Sequence, residues 1–373
     1  MRGTSIGASP TPASTEDERV AWLALAGIPG IGTRRIAALL SRFGTATAAL
    51  DAPQPELESV EGITERGARA VQGADRRRAA TVLQAAVAAG QEVLVPAAPG
   101  YPASLRSIPD PPAVLFVRGD AGLLARRAVA LVGSRRHTRY GAEVAARLAA
   151  EAVQAGAAVV SGMALGLDAV AHAAALDAGG STIGVLGTGV DVVYPRANAR
   201  LFERVLAGGA LLSEHPPGDR GHPGAFPRRN RLISGLSVAL VVVEAAEGSG
   251  TLITVECALE QGRDVFAVPG PITAATSRGT NRLLRDGATP ILEPGDLFRA
   301  LGGSREPVAT PAAPCTLSPD EARVFHALPA EALHVDDLAH RVGIPIGTLL
   351  GTLLGLELAG LAEQLPGGQF RRR

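Results

Sequence analysis

Short apolar runs that alternate with segments of helical periodicity from Ala113 onward constrain the fold of this chain more than any other feature. The runs predict strands at Val114–Val117, Ala128–Val132, Ala157–Val160, Thr182–Leu186, Val238–Val243, Val265–Val268 and Pro290–Leu292. The intervening segments predict helices at Tyr140–Ala155, Asp168–Ala178, Asn198–Ala207, Thr251–Gln261 and Asn281–Asp286. Near-continuous apolar strands separated by helices indicate a parallel sheet covered on both faces. The predicted fold class is α/β, with a doubly wound, Rossmann-like sheet domain over residues 101–301.

A helical domain is predicted ahead of the sheet, over residues 16–100, after a small and polar N-terminus at residues 1–15 that we expect to be disordered. Ile28–Gly44 places a Pro-Gly-Ile-Gly turn before an amphipathic helix, as a helix-hairpin-helix (SAM-like) domain does, and Val60–Val71 repeats the pattern more weakly. Such a turn can offer N–H groups to a DNA phosphate, but the glycines could also simply turn the chain of a small bundle. Both interpretations remain open at this point.

A winged-helix domain is predicted at residues 320–373, after a linker at residues 302–319 that is rich in Pro, Gly, Ser and Thr. The sequence predicts helices at Glu321–Ala327, Val335–Val342 and Ile346–Leu358, followed by a hairpin of Gly360–Gln364 and Gln369–Arg371. The third helix would be the recognition helix, yet it carries no Lys or Arg. This favours contact with a protein, or a vestigial role, over binding in a DNA major groove.

Composition limits the classes of function. Lys plus Arg and Asp plus Glu both total 36, so a nucleic-acid-binding protein would need a local basic patch. Aromatic residues make up only 3% of the chain, which disfavours a grip based mainly on base stacking. Cys257 and Cys315 fit neither a disulfide framework nor a metal site, and no run of 18 apolar residues occurs. We therefore expect a cytoplasmic protein without membrane contact, metal or cofactor.

Two arginine clusters mark a candidate binding site. The turn after the first central strand reads Gly133-Ser134-Arg135-Arg136-His137-Thr138-Arg139, and lacks the GxGxxG of a dinucleotide site. Gly133 would let the backbone approach a phosphate, while Ser134 and Thr138 supply hydroxyl groups. The second cluster, Phe226-Pro227-Arg228-Arg229-Asn230-Arg231, is predicted as a loop that leads into the next apolar segment. A charge run is usually a solvated surface, but two clusters in a neutral chain favour a phosphate-bearing ligand.

Further glycine-rich turns follow other predicted strands. Ser249, Gly250 and Thr251 open a predicted helix, whose N-terminus would attract an anion. Gly187-Thr188-Gly189 is another such turn, and Asp191 and Tyr194-Pro195-Arg196 come after it. Because the carboxyl ends of parallel strands share one edge of the sheet, we expect these turns to converge there.

Catalytic machinery is poorly supported by the sequence. Ser161-Gly162-Met163-Ala164-Leu165-Gly166 does not match the GxSxG of a serine nucleophile. Asp168 and His172 are spaced i, i+4 on a predicted helix, and we expect them to orient each other and the preceding glycine loop rather than to transfer protons. His215 and His222 flank a Pro/Gly-rich loop and have no predicted partners.

The chain resembles the DNA processing protein A (DprA/Smf) family between Tyr101 and Phe298. The resemblance is carried, in order, by VALVGSRRHTRYG, SGMALGLDAVAHAAAL, VLGTGVDVVYPRAN, FPRRNRLISGLS, VVVEAAEGSGTLITVECALEQGR and VPGPITAATSRGTNRLLRDGA. It implies a non-enzymatic, homodimeric protein that binds single-stranded DNA and loads the RecA recombinase on it, in interplay with single-strand DNA-binding protein, during natural transformation or recombinational repair.

The resemblance also implies roles for particular residues. By motif it assigns DNA contacts to Gly133, Ser134, Arg135, Arg196, Arg228, Asn230 and Arg231. From their positions in the same turns and clusters, we also expect DNA contacts from Arg136, Thr138, Arg139, Gly162, Gly166, Arg229, Ser249, Gly250 and Thr251. Those expected at the dimer interface are Asn281, Leu284, Arg285, Pro290 and Ile291.

Two alternative functions remain open. Ser249-Gly250-Thr251 followed by Glu256 partly matches the Gly-Gly-x-Gly-Thr-x-x-Glu signature of cytokinin-activating phosphoribohydrolases, so the chain could be a nucleotide hydrolase with Glu256 as its carboxylate. It could also be a nucleotide-sensing module that controls a partner through the winged helix.

Overall fold

Two compact units make up the chain, and they divide at residues 304 and 305. The structure, a computed structural model, describes residues 15–303, 317–359 and 361–372. The N-terminus predicted to be disordered and most of the predicted linker lie outside the described residues, as does Cys315. Thr15 already begins the first helix.

The first unit opens with the predicted helical segment. Its helices are α1 (Thr15–Ala26), α2 (Thr33–Phe43), α3 (Ala46–Asp51), α4 (Gln54–Glu58), α5 (Glu65–Gln72) and α6 (Arg76–Ala88). The turn between α1 and α2 contains Gly30 at φ 85°, a backbone conformation that favours glycine. Leu25 and Leu39 in this segment belong to the same hydrophobic core as Phe116 and Phe202 of the sheet region. The helices and the sheet therefore share one core.

A nine-stranded sheet forms the centre of the unit. Its strands are β1 (Glu92–Leu94), β2 (Leu115–Gly119), β3 (Ala128–Val132), β4 (Ala158–Ser161), β5 (Thr182–Val185), β6 (Ala210–Ser213), β7 (Ala239–Val242), β8 (Asp264–Ala267) and β9 (Thr289–Pro290). They lie in the order β1-β2-β6-β5-β4-β3-β7-β8-β9. From β6 to β9 all neighbours are parallel, which confirms the predicted doubly wound core.

The prediction of a parallel sheet is wrong at one edge. β2 runs antiparallel to both β1 and β6, and no strand was predicted at β1 or β6. Both of these strands are short, and β6 follows Gly208 and Gly209, which are typical of a loop. Burial of all four β6 residues against neighbours distant in sequence makes this segment a strand.

Helices cover both faces of the sheet. They are α7 (Ala103–Arg106), α8 (Arg139–Gln154), α9 (Leu167–Asp177), α10 (Ala199–Gly208), α11 (Ala225–Gly235), α12 (Gly250–Glu260), α13 (Arg278–Arg285) and α14 (Asp296–Ala300). The second arginine cluster, predicted as a loop, lies on α11. The helix turns successive arginines to different sides, so they cannot all face one ligand.

The strand order places a topological switch between β3 and β7. The chain proceeds from β3 through β4 and β5 to β6 on one side, then returns to β7 and continues to β8 and β9 on the other. The loops that leave β3 and β7 therefore diverge and open a crevice at the carboxyl ends of these strands. In open α/β sheets this is where ligands bind.

The second unit has its own core and the predicted winged-helix pattern. It contains α15 (Pro319–Ala327), β10 (Leu333–His334), α16 (Val335–Val342), α17 (Ile346–Leu358), β11 (Ala362–Leu365) and β12 (Gln369–Arg372). Val324, Leu338, Leu353 and Phe370 are among its core residues. Across the described ranges no single helix could span a membrane by length and apolarity, although α16 and α17, bent by 104°, satisfy the criterion as a pair.

We predict that Gly209→Ala destabilises the first unit. A Cβ atom at this position would collide with the carbonyl oxygen of Thr182 and come within 3.1 Å of that of Val205, and backbone atoms at the β5–β6 junction cannot move independently. The free energy of unfolding in urea should fall by about 1–3 kcal/mol. Gly250→Ala, where nothing lies within 4 Å of the added Cβ, should leave it nearly unchanged. Equal stability of the two variants would contradict this packing.

Candidate nucleic-acid interface

A cleft of about 900 Å³ lies at the switch between β3 and β7. Two glycine-rich turns line it, Gly133–Arg136 after β3 and the turn from Ala246 to Ser249 that leads into α12, together with Gly250 and Thr251 of α12 and residues of α11 such as Asn230. Thr251 joins the two turns, because its hydroxyl donates to the carbonyl of Gly133 at 3.2 Å. The predicted convergence is confirmed for these two turns, whereas the Gly187-Thr188-Gly189 turn does not line this cleft.

The turn after β3 exposes its arginines while its other polar groups hold the loop. Ser134 Oγ donates to the carbonyl of Arg136 at 2.7 Å and accepts from the N–H of that residue at 3.1 Å. The side chains of Arg135 and Arg136 are exposed at the rim of the cleft. The turn can thus present two positive charges on a backbone fixed by its own serine.

Thr138 caps α8 and is held by an acidic side chain. Its Oγ1 accepts from the N–H of Gly141 at 3.0 Å, and its N–H donates to Oε2 of Glu244 at 3.0 Å. The hydroxyl also bonds to the Glu244 carboxylate. The prediction that Thr138 offers its hydroxyl to DNA is therefore wrong, since the capping geometry already uses it. Arg139, the next residue, is exposed and pairs with Glu143 at 2.9 Å.

Buried side chains hold the loop after β4 through hydrogen bonds to its backbone. Oδ2 of Asp168 accepts from the N–H groups of Gly162 at 3.1 Å and Ala164 at 3.4 Å. Asn198 donates to the carbonyls of Met163 and Ala164 at 2.9 and 3.1 Å. Met163 has a φ of 56°, the one positive value for a non-glycine residue in the described part of the chain. These bonds hold a backbone conformation that would otherwise be unfavourable.

His172 supports the same loop in its neutral form. Thr182 donates its hydroxyl to the carbonyl of Val159, so this hydroxyl accepts from Nδ1–H of His172, at 2.6 Å. Nε2 of His172 then accepts from the N–H of Met163 at 3.4 Å. Burial, with the nearby charge of Arg229, lowers the pKa of His172 to about 3. Asp168 orients the loop as predicted, but His172 bonds to Thr182 rather than to Asp168.

Arg229 has a structural role, and because it also lines the cleft its assignment as a DNA contact remains a prediction. Its guanidinium donates to the carbonyls of Gly162 (2.6 Å) and Val185, at the ends of β4 and β5. The side chain is buried at the floor of the cleft and faces Asp168 across Gly162. Burial lowers the pKa of Arg229 to about 10, and it raises the pKa of Asp168.

Arg231 is also structural. It forms a bidentate ion pair with Glu214 at 2.6 and 2.7 Å and another with Asp110 at 2.9 Å, and its side chain is 9% exposed. The hydroxyl of Thr33, at the start of α2, also bonds to Asp110. Arg231 therefore fastens α11 to the helical segment. On α11 the exposed basic residue is Arg228, while Asn230 reaches the cleft with Nδ2 3.4 Å from the carbonyl of Gly250.

Of the remaining predicted contacts, Ser249, Gly250 and Thr251 line the cleft, whereas Gly166 and Arg196 do not. Ser249 caps α12 by accepting from the N–H of Thr251 at 3.2 Å, and these residues line the cleft with Gly250. Gly166 (φ 85°) lets the loops after β3 and β4 touch, because a Cβ there would lie 2.7 Å from Arg135. Arg196 is exposed in a short 3-10 turn and is not among the cleft-lining residues.

Sequence reasoning missed an aromatic pair at the cleft. The rings of Tyr194 and Phe226 lie 5.1 Å apart, and both line the cleft. Tyr194 is 51% exposed. The two residues are 32 positions apart, and the signal that could have found them was the presence of each beside a predicted basic residue, Arg196 and Arg228.

His215 and His222, which had no predicted partners, lie together. Nδ1 of His215 is 2.9 Å from Oδ2 of Asp219, and the two imidazole rings are 6.2 Å apart.

Two of the residues predicted at a dimer interface are engaged within the chain. Ile291 is 7% exposed in a core that it shares with Leu297. The amide of Asn281 donates to the carbonyl of Gly270 at 2.9 Å and accepts from its N–H at 3.1 Å. Arg285 and Pro290 are exposed and Leu284 is half-buried, and the assignment of all five residues to a dimer interface remains a prediction.

Fold and site together define a Rossmann-like protein whose cleft presents exposed arginines beside a helix N-terminus. Residues 92–302 match the family model of DNA recombination-mediator protein A. Residues 16–82 match the DprA-like N-terminal HHH domain, and residues 308–368 match the DprA winged helix domain. The chain belongs to the DNA recombination-mediator protein A (DprA/Smf) family, as the resemblance predicted.

Relatives and solved structures agree with this membership. The chain is 42% identical to protein Smf of Escherichia coli over 282 residues, which cover 73% of this chain and 75% of the relative. It is 32% identical to protein Smf of Synechocystis over 95% of this chain and 99% of the relative. DNA processing protein A of Streptococcus pneumoniae superimposes with a TM-score of 0.65 at 32% identity, covering 76% and 97% of the two chains. A Helicobacter pylori structure that describes a single-stranded DNA binding mode of DNA processing protein A gives 0.52 at 31% identity, covering 57% and 95%.

We predict that Arg231→Ala lowers the free energy of unfolding by about 3 kcal/mol, the low end for a buried ion pair, because it leaves the charge of the partly buried Glu214 without its partner. Arg228→Ala, an exposed arginine on the same helix, should change it by less than about 0.5 kcal/mol. Chemical denaturation of both variants tests this assignment. Similar losses in the two would show that Arg231 is no more structural than Arg228.

Stability should also depend on pH through His172. The folded pKa of about 3 lies below the ordinary 6.5, so between these values the unfolded chain binds a proton that the folded chain does not. The contribution of neutral His172 to the free energy of unfolding is complete above pH 6.5. As the pH falls below 6.5, this contribution is lost by up to about 1.4 kcal/mol per pH unit. His172→Gln should flatten this acid-side slope in pH-dependent denaturation curves. An unchanged slope would contradict a buried neutral imidazole.

Proposed function

We propose that this protein binds single-stranded DNA across the β3–β7 cleft and, without turnover, delivers the strand to the RecA recombinase. Exposed Arg135 and Arg136 at the rim of a cleft next to the N-terminus of α12 carry this proposal. Arginine and helix N–H groups bind phosphate oxygens with little regard to base identity. Family membership and the single-stranded DNA binding mode described for the Helicobacter pylori relative support the same ligand.

The geometry favours a grip on phosphates with limited stacking. Buried Arg229 and Arg231 donate to carbonyl and carboxylate oxygens of the protein, whereas Arg135, Arg136 and Arg228 are exposed cations near the cleft. The pair of Tyr194 and Phe226 offers one apolar surface on which a base can stack. Such a site fits a flexible strand, whose bases are accessible, better than a duplex.

The hydrolase alternative loses support from the position of Glu256. Its side chain is exposed on α12 and is not among the residues that line the cleft, although Ser249, Gly250 and Thr251 are. Asp168 does reach the cleft, but its carboxylate is bound to backbone N–H groups. Release of free base from a nucleoside monophosphate, abolished by Glu256→Ala, would restore the alternative.

Self-association and partner binding complete the proposal. We place the homodimer contact at the end of the sheet domain, around Leu284, Arg285 and Pro290, and the RecA contact near it. In the winged helix, Ile346, Leu350 and Leu354 of α17 are exposed and apolar, which supports contact with a protein rather than DNA. The cytoplasm is the compartment in which such a mediator would meet RecA and single-strand DNA-binding protein.

Arg135→Ala and Arg136→Ala should each weaken binding of a fluorescent oligo-dT about tenfold in anisotropy titrations, because each removes a charged hydrogen-bond donor. The log–log salt dependence should flatten by about 0.7 for each phosphate that the variant no longer neutralises. Arg147→Ala is the matched control, since it removes an exposed arginine of α8 that does not line the cleft. The site assignment is wrong if all three variants bind like the unaltered protein, and the ligand is wrong if duplex of equal length competes better than single strand.

Delivery to RecA calls for a separate measurement. Assembly of RecA filaments on a strand coated with single-strand DNA-binding protein should begin earlier when this protein is added. The Arg135→Ala/Arg136→Ala double variant should not shorten the lag. If that variant shortened the lag as much as the unaltered protein does, any action on RecA would not depend on DNA binding at the cleft, which would contradict the proposal.

A further inference from the structure

The N-terminus of α8 is occupied by a side chain of the protein itself. α8 follows β3 directly, and in Rossmann-like dinucleotide-binding proteins the corresponding helix N-terminus binds the pyrophosphate. Here the carboxylate of Glu244, which extends from the end of the neighbouring β7, accepts from both the N–H and the hydroxyl of Thr138. A carboxylate of the chain thus stands where such proteins bind an external anion.

The surroundings of Glu244 are built to hold this carboxylate. The residue is 3% exposed, although an unpaired buried charge is costly. Gly141, in the first turn of α8, has no side chain in the way: an added Cβ would lie 2.7 Å from both carboxylate oxygens. The N–H of Gly141 goes to Thr138 Oγ1, so the cap and the carboxylate form one connected network. The positive end of the α8 dipole offsets the buried negative charge.

We propose that Glu244 is a specificity-determining residue, which blocks nucleotide phosphates from the α8 N-terminus. With this position filled, phosphates in the cleft are left with the exposed Arg135 and Arg136 and the N-terminus of α12. A mononucleotide or dinucleotide loses its main anchoring point, whereas a strand can contact the remaining groups through several phosphates at once. Selection of a strand rests on the proposed function; occupation of the anion site by Glu244 does not.

The test is gain of inorganic phosphate binding when the carboxylate is removed. Glu244→Ala and Glu244→Ser remove the carboxylate that accepts from Thr138, and so free space for an anion beside the N-terminus of α8. Millimolar phosphate, compared with chloride at equal ionic strength, should raise the Tm of both variants by roughly 2–4 °C through binding to the folded state. The unaltered protein, which keeps only the cleft groups for phosphate, should show a smaller rise.

Two controls separate this effect from general stabilisation. Glu244→Gln keeps the site filled and should gain no response to phosphate. Asp191→Ala removes a carboxylate that accepts from the N–H of Gly218 in a turn, at 2.9 and 3.0 Å, and should gain none either. If Glu244→Ala does not fold, Glu244→Ser, whose hydroxyl can still accept one hydrogen bond, supplies the measurement.

The outcome decides the inference independently of DNA binding. Phosphate responses in Glu244→Ala or Glu244→Ser that do not exceed those of the unaltered protein and Asp191→Ala would overturn it. Oligo-dT binding by the unaltered protein is measured on the same samples. Absence of oligo-dT binding would refute the proposed function. A phosphate response of the Glu244 variants would still show that the carboxylate of Glu244 fills the anion site at the N-terminus of α8.

Discussion

The buried guanidinium of Arg229 is the interaction on which the architecture of the cleft depends. It draws together the carbonyl ends of β4 and β5 and anchors α11 to the sheet. Asp168 faces it across Gly162 and holds the backbone of the same loop. A buried charge is tolerated only when its partners are close and well directed, so α11, the loop after β4 and the ends of two strands have to form together.

The same arrangement explains which parts of the molecule the sequence could predict. The strands β3, β4, β5 and β7 are buried on both faces, and burial on both faces requires runs of consecutive, mostly apolar residues that the sequence shows directly. The run Arg228–Arg231 is different, because helical geometry sends Arg229 and Arg231 inward and leaves Arg228 exposed. A run of consecutive arginines does not by itself show which of them are buried and which are exposed.

Contacts between residues far apart in the sequence account for the other differences between prediction and structure. β6 is a strand because β2 and β5 lie on either side of it, and its four residues alone do not show this. Glu244 lies 106 residues from the Thr138 that it holds, and Tyr194 meets Phe226 across separate loops. Composition and turn chemistry predicted where a site would lie, whereas the roles of individual side chains were set by tertiary contacts.

We infer that a single strand lies across the β3–β7 cleft, with its bases beside the neighbouring rings of Tyr194 and Phe226. Photocrosslinking of an oligo-dT that contains 5-iododeoxyuridine, followed by mass spectrometry of the peptides, would locate the strand. We expect crosslinks to Tyr194 or Phe226, since aromatic side chains close to the base react preferentially. Crosslinks confined to the α1–α2 hairpin or to the winged helix, with none in peptides that line the cleft, would contradict it.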